Sequence, residues 1–316
     1  MIAAYLHSLD PVLVKFNEFL KIHWYGLAYV MGFVCAYLLM VRLARRGIGE
    51  LKPHEVGDFI TYTAIFGVLV GGRLGYMLLY NREEFFANPL SIVYLTRGGM
   101  ASHGGILGIF FFTLYYAWRH QKSWPGLGDN LVCVAPVGVF FGRMANFING
   151  ELWGHRVRAD FPLAVQFPTE LREDAELLAQ AQQLMPGMLR DASPDAIIAA
   201  ARKNSEVATA LREVLPVRHP SQLYEAALEG VLLFAILYLV RIRWPKAPHG
   251  LLTGLFFIFY AVFRMFVEHY FRVADGMIAG MSRGFFYSTF MIGIGAAFLI
   301  YAATAGRKHR GTLAEN

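Results

Sequence analysis

The stretch Leu251-Leu252-Thr253-Gly254-Leu255-Phe256-Phe257-Ile258-Phe259-Tyr260-Ala261-Val262-Phe263-Arg264-Met265-Phe266-Val267-Glu268-His269-Tyr270 decides what kind of protein this is. As a helix rising about 1.5 Å per residue, such a length reaches about 30 Å, the thickness of a bilayer's hydrocarbon core. Only Arg264 and Glu268 in it carry a full charge at neutral pH. Working outward, His23–Arg42, Asp58–Tyr80, Gly99–Trp118, Asn130–Ile148, Tyr224–Val240 and Gly284–Thr304 read the same way. The whole chain, 316 residues, is 56% hydrophobic and only 16% charged, whereas soluble domains carry about 25% charged residues. The expectation is an all-α polytopic membrane protein with about seven transmembrane helices. Its chain order has three parts: helices one to four in 1–148, a polar cap in 149–220, and helices five to seven with a tail in 221–316.

Direction follows from Lys and Arg in the short loops, which favour the cytoplasmic side. With the N-terminus outside, the inner loops hold Arg42, Arg45, Arg46, Lys52, Arg119, Lys122, Arg241, Arg243, Lys246, Arg307, Lys308 and Arg310. The outer ones hold Lys15, Lys21, Arg82, Arg97, Arg272 and Arg283, so the balance is twelve to six. The N-terminus is expected out and the C-terminus in. Met1–Phe16 lacks a basic start followed by a sustained apolar run, so no cleavable signal is expected. Within the polar segment, Asn149–Pro168 reads as loops and short extended pieces. Thr169–Leu215 reads as two or three amphipathic helices, broken at Pro186-Gly187 and near Ser193-Pro194, that form an extracytoplasmic cap.

The formal charge of +6 does not point to nucleic acid, because the cations sit in short loops between apolar runs. Cys35 and Cys133 lie inside apolar runs without metal-type spacing and read as small buried hydrophobes.

The charges inside the predicted spans carry the chemistry. Arg73, His103, Arg143, Arg264 and Glu268 are distributed over four spans, and an arginine at mid-bilayer costs at least about 2.5 kcal/mol. Snorkelling relieves one such residue. Here the span directions place all five, with Tyr25, at one depth near the outer headgroups, whereas independent snorkelling scatters charges over both faces. Three guanidiniums at one depth suit an anion, and arginine's planar fork suits phosphate. The anion available there is a phospholipid headgroup. Tyr260, Arg264 and Glu268, spaced by four, share a helical face. Asn146, Asn149 and Glu151 follow Arg143 closely enough to hold it in position. Glycines recur beside the charges, as in Gly71-Gly72-Arg73-Leu74-Gly75 and His103-Gly104-Gly105 with Gly108, a spacing that permits close helix packing.

Other readings compete. An anion transporter uses intramembrane arginines too, but it predicts inverted repeats or broken helices, and neither is visible. Gly126-Leu127-Gly128-Asp129 has the Gly-x-Gly-Asp form of an intramembrane protease, yet Asp129 falls at the inner end of a span and no Tyr-Asp partner exists.

Gly142-Arg143-Met144-Ala145-Asn146-Phe147-Ile148-Asn149-Gly150-Glu151-Leu152-Trp153-Gly154 resembles the defining motif of the phosphatidylglycerol–prolipoprotein diacylglyceryl transferases. His23-Trp24-Tyr25-Gly26, Gly71–Gly75, His103–Gly105, His219-Pro220-Ser221-Gln222-Leu223-Tyr224-Glu225 and Tyr260–Glu268 resemble that family in order and spacing, over roughly Lys21 to Tyr301. Thr169–Leu215 matches no family motif. The resemblance implies a multi-pass enzyme of the bacterial cytoplasmic membrane whose site faces the outer leaflet. It implies that the diacylglyceryl group of phosphatidylglycerol moves to the lipobox cysteine thiol of a prolipoprotein signal peptide, forming a thioether and releasing glycerol phosphate. By the same resemblance Arg143 and Arg264 bind or activate the lipid. Tyr25, His103, Asn146, Tyr260 and Glu268 then belong to the site, with Arg73, Glu151 and Gly154 beside them. No metal or cofactor is required. His103 is the natural acceptor of the thiol proton, since imidazole exchanges protons near neutral pH. Glu268 and the substrate phosphate remain alternatives.

Overall fold

The computed structural model describes residues 4–17, 21–94, 99–274 and 276–306; Arg97, Arg307, Lys308 and Arg310, counted above for orientation, lie outside them. The protein is built mainly of helices. After short strands β1 (Tyr5–Leu6), β2 (Val12–Lys15) and β3 (Lys21–His23) comes α1 (Trp24–Arg45). Helix α2 (Glu55–Tyr62) runs through a π-helical stretch, Thr63–Val70, into α3 (Gly71–Tyr80), followed by the short α4 (Arg82–Ala87). Then come α5 (Ser102–Arg119) and α6 (Trp124–Asn149), β4 (Val165–Gln166), α7 (Ala175–Leu184), α8 (Pro194–Ala201) and α9 (Ser205–Val214). Helix α10 (Ser221–Glu225) continues through a second π-helical stretch, Ala226–Leu232, into α11 (Leu233–Arg243). The chain ends with α12 (Leu251–Tyr270), the hairpin β5 (Met277–Ile278) and β6 (Met281–Ser282), and α13 (Arg283–Thr304).

Among the described residues six helices are long and apolar enough to cross a membrane: Trp24–Arg45, Glu55–Tyr80, Trp124–Asn149, Ser221–Arg243, Leu251–Tyr270 and Arg283–Thr304. Six of the seven expected spans coincide with them, and three of these helices begin three or more residues earlier than expected, at Glu55, Trp124 and Ser221. The remaining one, Gly99–Trp118, coincides with α5. That helix has 18 residues, but Ser102, His103 and two glycines open it and Arg119 closes it, which dilutes its apolar character.

The contacts group into two compact units. One gathers Met1–Met31, Gly138–Leu233 and Phe259–Ile292; the other gathers Gly32–Val137, Phe234–Ile258 and Gly293–Asn316. This grouping follows spatial proximity, whereas the division at 148 and 220 follows chain order, so the two cut the chain differently.

In the first unit the polar segment forms three helices, the upper end of the expected range. Each starts on a side-chain cap: Asp174 accepts from Leu177 N–H at 2.9 Å, Ser193 from Ala196 at 3.3 Å and Asn204 from Glu206 at 2.8 Å. Their apolar faces close on Leu177, Ala181, Met185, Ile197, Val207 and Leu211, with Leu6 inserted from the N-terminal segment. Strand β1 pairs in parallel with β4, Tyr5 opposite Val165 and Leu6 opposite Gln166.

In the second unit, α3 and α5 approach at their glycines, as the spacing suggested. A Cβ on Gly75 would stand 2.5 Å from Gly104 Cα, so only glycine permits this approach. Asp129 of the Gly-x-Gly-Asp stretch is fully buried. It accepts from Gly250 N–H at 2.9 Å and from Thr253 N–H and hydroxyl, each at 2.8 Å. It thereby caps the start of α12, which accounts for it without proteolytic chemistry.

His7, outside the spans, is buried against Phe147 and Phe167. Burial pushes its pKa down to about 4, opposed by a hydrogen bond to the Phe147 backbone and aided by the charge of Arg202. A histidine depressed on folding contributes stability that is complete above its unfolded value of about 6.5 and lost as pH falls toward 4. Amides of Tyr5–His7 and Val165–Phe167 should therefore exchange faster with deuterium as pH is lowered through this range, after correction for intrinsic rates. In His7→Gln that acceleration should be much reduced.

Candidate functional site

The first unit concentrates buried charge. Helix α6 presents Arg143 and, one turn later on the same face, Asn146. Helix α12 presents Tyr260, Arg264 and Glu268 at intervals of four. The span that begins at Ser221 presents Glu225 and Glu229, also four apart and both fully buried.

These side chains form one lattice of ion pairs. Arg143 donates to Glu229 Oε2 from Nε at 3.2 Å and from Nη2 at 2.9 Å, and its Nη1 lies 3.2 Å from Glu225 Oε2. Arg264 Nη1 donates to Glu225 Oε1 and lies 3.9 Å from Glu229 Oε1. Its Nε is 3.3 Å from Glu268 Oε2. Arg272 Nη1 donates to Glu225 Oε1 at 2.8 Å. Three guanidiniums therefore meet three carboxylates. Most of the lattice is sealed, but the side chains of Arg143 and Arg264 remain 15% and 14% exposed. Tyr260 is close enough to interact electrostatically with Arg143 and Glu229. Glu268 also accepts from Gly284 N–H at 3.2 Å, at the start of α13, where any side chain on residue 284 would collide with the carboxylate.

Beside the lattice lies a polar triad. Asn146 donates through Nδ2 to Tyr25 Oη at 3.2 Å and to Glu151 Oε1 at 2.6 Å. The turn carrying Glu151 reverses through two residues of positive φ, Gly150 at 67° and Leu152 at 59°. Gln222 Nε2 donates to Glu151 O at 2.5 Å and the Ser221 hydroxyl to Leu152 O at 2.7 Å, which staples the turn to the helix that bears Glu225 and Glu229.

Gly154 continues from that turn as extended chain. It donates N–H to His219 O at 3.0 Å, pairs with Arg272 in a short antiparallel bridge, and accepts from Arg218 Nη1 at 3.1 Å. Arg218 grips Glu170 through both carboxylate oxygens at 2.7 Å each, joining the cap segment to this strand. Burial raises the Glu170 pKa, and the Arg218 guanidinium works against that rise.

Eight expected site residues thus fall in this unit: Tyr25, Arg143, Asn146, Glu151, Gly154, Tyr260, Arg264 and Glu268. Arg73 and His103 belong to the other. The Arg73 side chain is buried, and its guanidinium donates to carbonyls of Ser91 (2.8 Å), Ile92 (3.1 Å), Gly99 (3.1 Å) and Tyr94 (3.2 Å). It ties the loop after α4 to α3, an occupation different from the headgroup contact expected from the sequence. His103 is the second residue of α5 and is exposed. The sequence reading missed Glu225, Glu229 and Arg272 as members of the charge cluster. Two acids four apart inside a predicted span were the available signal, as conspicuous as the arginines.

Known proteins resemble this chain over nearly its whole length. A family model described as prolipoprotein diacylglyceryl transferase matches residues 11–301. A phosphatidylglycerol–prolipoprotein diacylglyceryl transferase of Bdellovibrio bacteriovorus is 37% identical, over 93% of this chain and 93% of its own length. Proteins of the same name from Salmonella arizonae and Salmonella agona are each 40% identical, over 96% of this chain and 97% of theirs.

The Gly154 contacts carry a stability prediction. A Cβ there would stand 2.6 Å from His219 O and 2.8 Å from His219 Cβ. Gly154→Ala should force the strand apart and destabilise the unit by about 1–3 kcal/mol, the usual range for overpacking. Denaturant unfolding of the detergent-solubilised protein measures this.

Proposed function

The chain belongs to the prolipoprotein diacylglyceryl transferase family, and on that premise we propose how its residues carry the reaction. The enzyme transfers a diacylglyceryl group from phosphatidylglycerol to a prolipoprotein, a step of bacterial lipoprotein maturation. It is a multi-pass membrane protein. In the finer reading α5 is also a span, giving seven, with the N-terminus outside, in the cytoplasmic membrane. The site then opens toward the outer leaflet.

The observation that supports the site is the pairing of Arg143 and Arg264 over a common pair of carboxylates, each with part of its side chain accessible. Preorganised guanidiniums meet negative charge as it develops, without reorganisation at the moment of reaction. In this reading they receive the lipid phosphate. The lipobox cysteine thiol, with an ordinary pKa of about 8.5, gives its proton to a base, for which the His103 imidazole is the candidate that the sequence offers. The thiolate sulfur attacks the glyceryl carbon, the carbon–oxygen bond breaks, and glycerol phosphate leaves with the electron pair toward the two arginines. Tyr25, Asn146 and Glu151 orient the lipid headgroup or the incoming cysteine beside Arg143. Glu268, engaged by Arg264 and by Gly284 N–H, positions Arg264 and is the weaker candidate for the base.

Purified protein given phosphatidylglycerol and a lipobox peptide should yield a thioether-linked diacylglyceryl peptide. Arg143→Lys keeps the charge but loses the planar fork, and should lower the rate by ~100- to 1,000-fold. Product formation by Arg143→Lys at the wild-type rate would remove Arg143 from the chemistry.

A further inference from the structure

Every edge of the Arg143 guanidinium already faces a carboxylate. Nε and Nη2 converge on Glu229 Oε2, and Nη1 faces Glu225 Oε2. A phosphate reaching Arg143 therefore finds the Nε–Nη2 edge already hydrogen-bonded to Glu229. The lattice carries three positive and three negative side chains, so a lipid phosphodiester adds one anion to a neutral, largely buried set.

The two glutamates are held unequally. Glu225 stands among Arg143, Arg264 and Arg272. Glu229 has close contact with Arg143 alone. Its Oε1 is 3.9 Å from Arg264 Nη1, beyond hydrogen-bond reach, and is buried without a hydrogen-bond partner. Glu225 Oε2 is likewise buried without a hydrogen-bond partner, so the inequality lies in the number of close guanidiniums, three at Glu225 and one at Glu229, and Glu229 is the carboxylate that yields most readily.

The geometry points to Glu229 as an exchangeable placeholder: its carboxylate occupies the phosphate-binding edge of Arg143 between turnovers and withdraws when the lipid phosphate arrives. The inference rests on the reading that Arg143 receives that phosphate. Glu229 is on this account a positioning residue. It keeps the guanidinium extended and oriented, which avoids an unpaired buried cation, and it competes with the substrate for the same donors.

A residue that only supports the fold weakens lipid binding when it is altered, whereas a competitor strengthens it. Glu229→Gln preserves size and removes the competing charge. In mixed micelles of phosphatidylglycerol with saturating lipobox peptide, its KM for the lipid should fall several-fold below that of the wild type. An unchanged or raised KM in a variant with wild-type helical content would overturn the exchange. Should the variant not fold, infrared difference spectra of the wild-type protein decide. Adding phosphatidylglycerol should shift an arginine-paired carboxylate band, and no change in the carboxylate region counts against the proposal. Arg143→Lys in the same assay separates the premise from the inference. If its KM for the lipid is unaltered, the phosphate reading itself fails. If its KM rises while that of Glu229→Gln does not fall, only the placeholder fails.

Discussion

The buried lattice joining Arg143, Arg264 and Arg272 to Glu225, Glu229 and Glu268 is the constraint around which the first unit is arranged. A charge inside a helix bundle is tolerated only with a partner, and removing one member of a buried pair typically costs about 3–5 kcal/mol. Here the six charges come from α6, from the span that starts at Ser221, and from α12 with the residues just beyond it. None of these elements satisfies its charges alone. Their packing is therefore specified by ion pairing as well as by apolar contact, and the helices have a defined rotation because Arg143 and the two glutamates face each other.

The segments outside the spans serve the same lattice. The turn at Gly150–Leu152 delivers Glu151 to Asn146 and is fastened to the following span by Gln222 and Ser221. Gly154 lets the chain pass close to His219 and Phe271, and its bridge to Arg272 places that guanidinium against Glu225. Through Arg218 and Glu170 the cap helices connect to the same strand. The cap is a folded body with its own apolar core, so it presents a rigid attachment to this strand.

In the second unit the same rule is met with different partners. Arg73 is buried, and backbone carbonyls of Ser91, Ile92, Tyr94 and Gly99 accept from its guanidinium. Asp129 is buried and accepts from the first turn of α12. Both stand out in the sequence for the same reason as Arg143. One anchors a loop and the other caps a helix, because backbone groups at loops and helix ends have unmatched donors and acceptors to offer.

Composition and periodicity alone determined that this chain is a helical membrane protein, approximately where its long helices run, and that the polar middle segment folds into helices of its own. These properties are local: a run of twenty apolar residues or a Ser-Pro helix start means the same thing in any surroundings. The motif around Arg143 was likewise legible, because Arg143, Asn146, Glu151 and Gly154 lie within one short stretch. What only the tertiary structure decided was which charges meet. Glu225 and Glu229 pair with Arg143 from more than eighty residues away, Arg272 joins them across a strand-like bridge, and Arg73 turns to a loop. Partner choice depends on helix rotation and approach, which are set by three-dimensional packing, so the charge of a residue is written in the chain and its counterion is not.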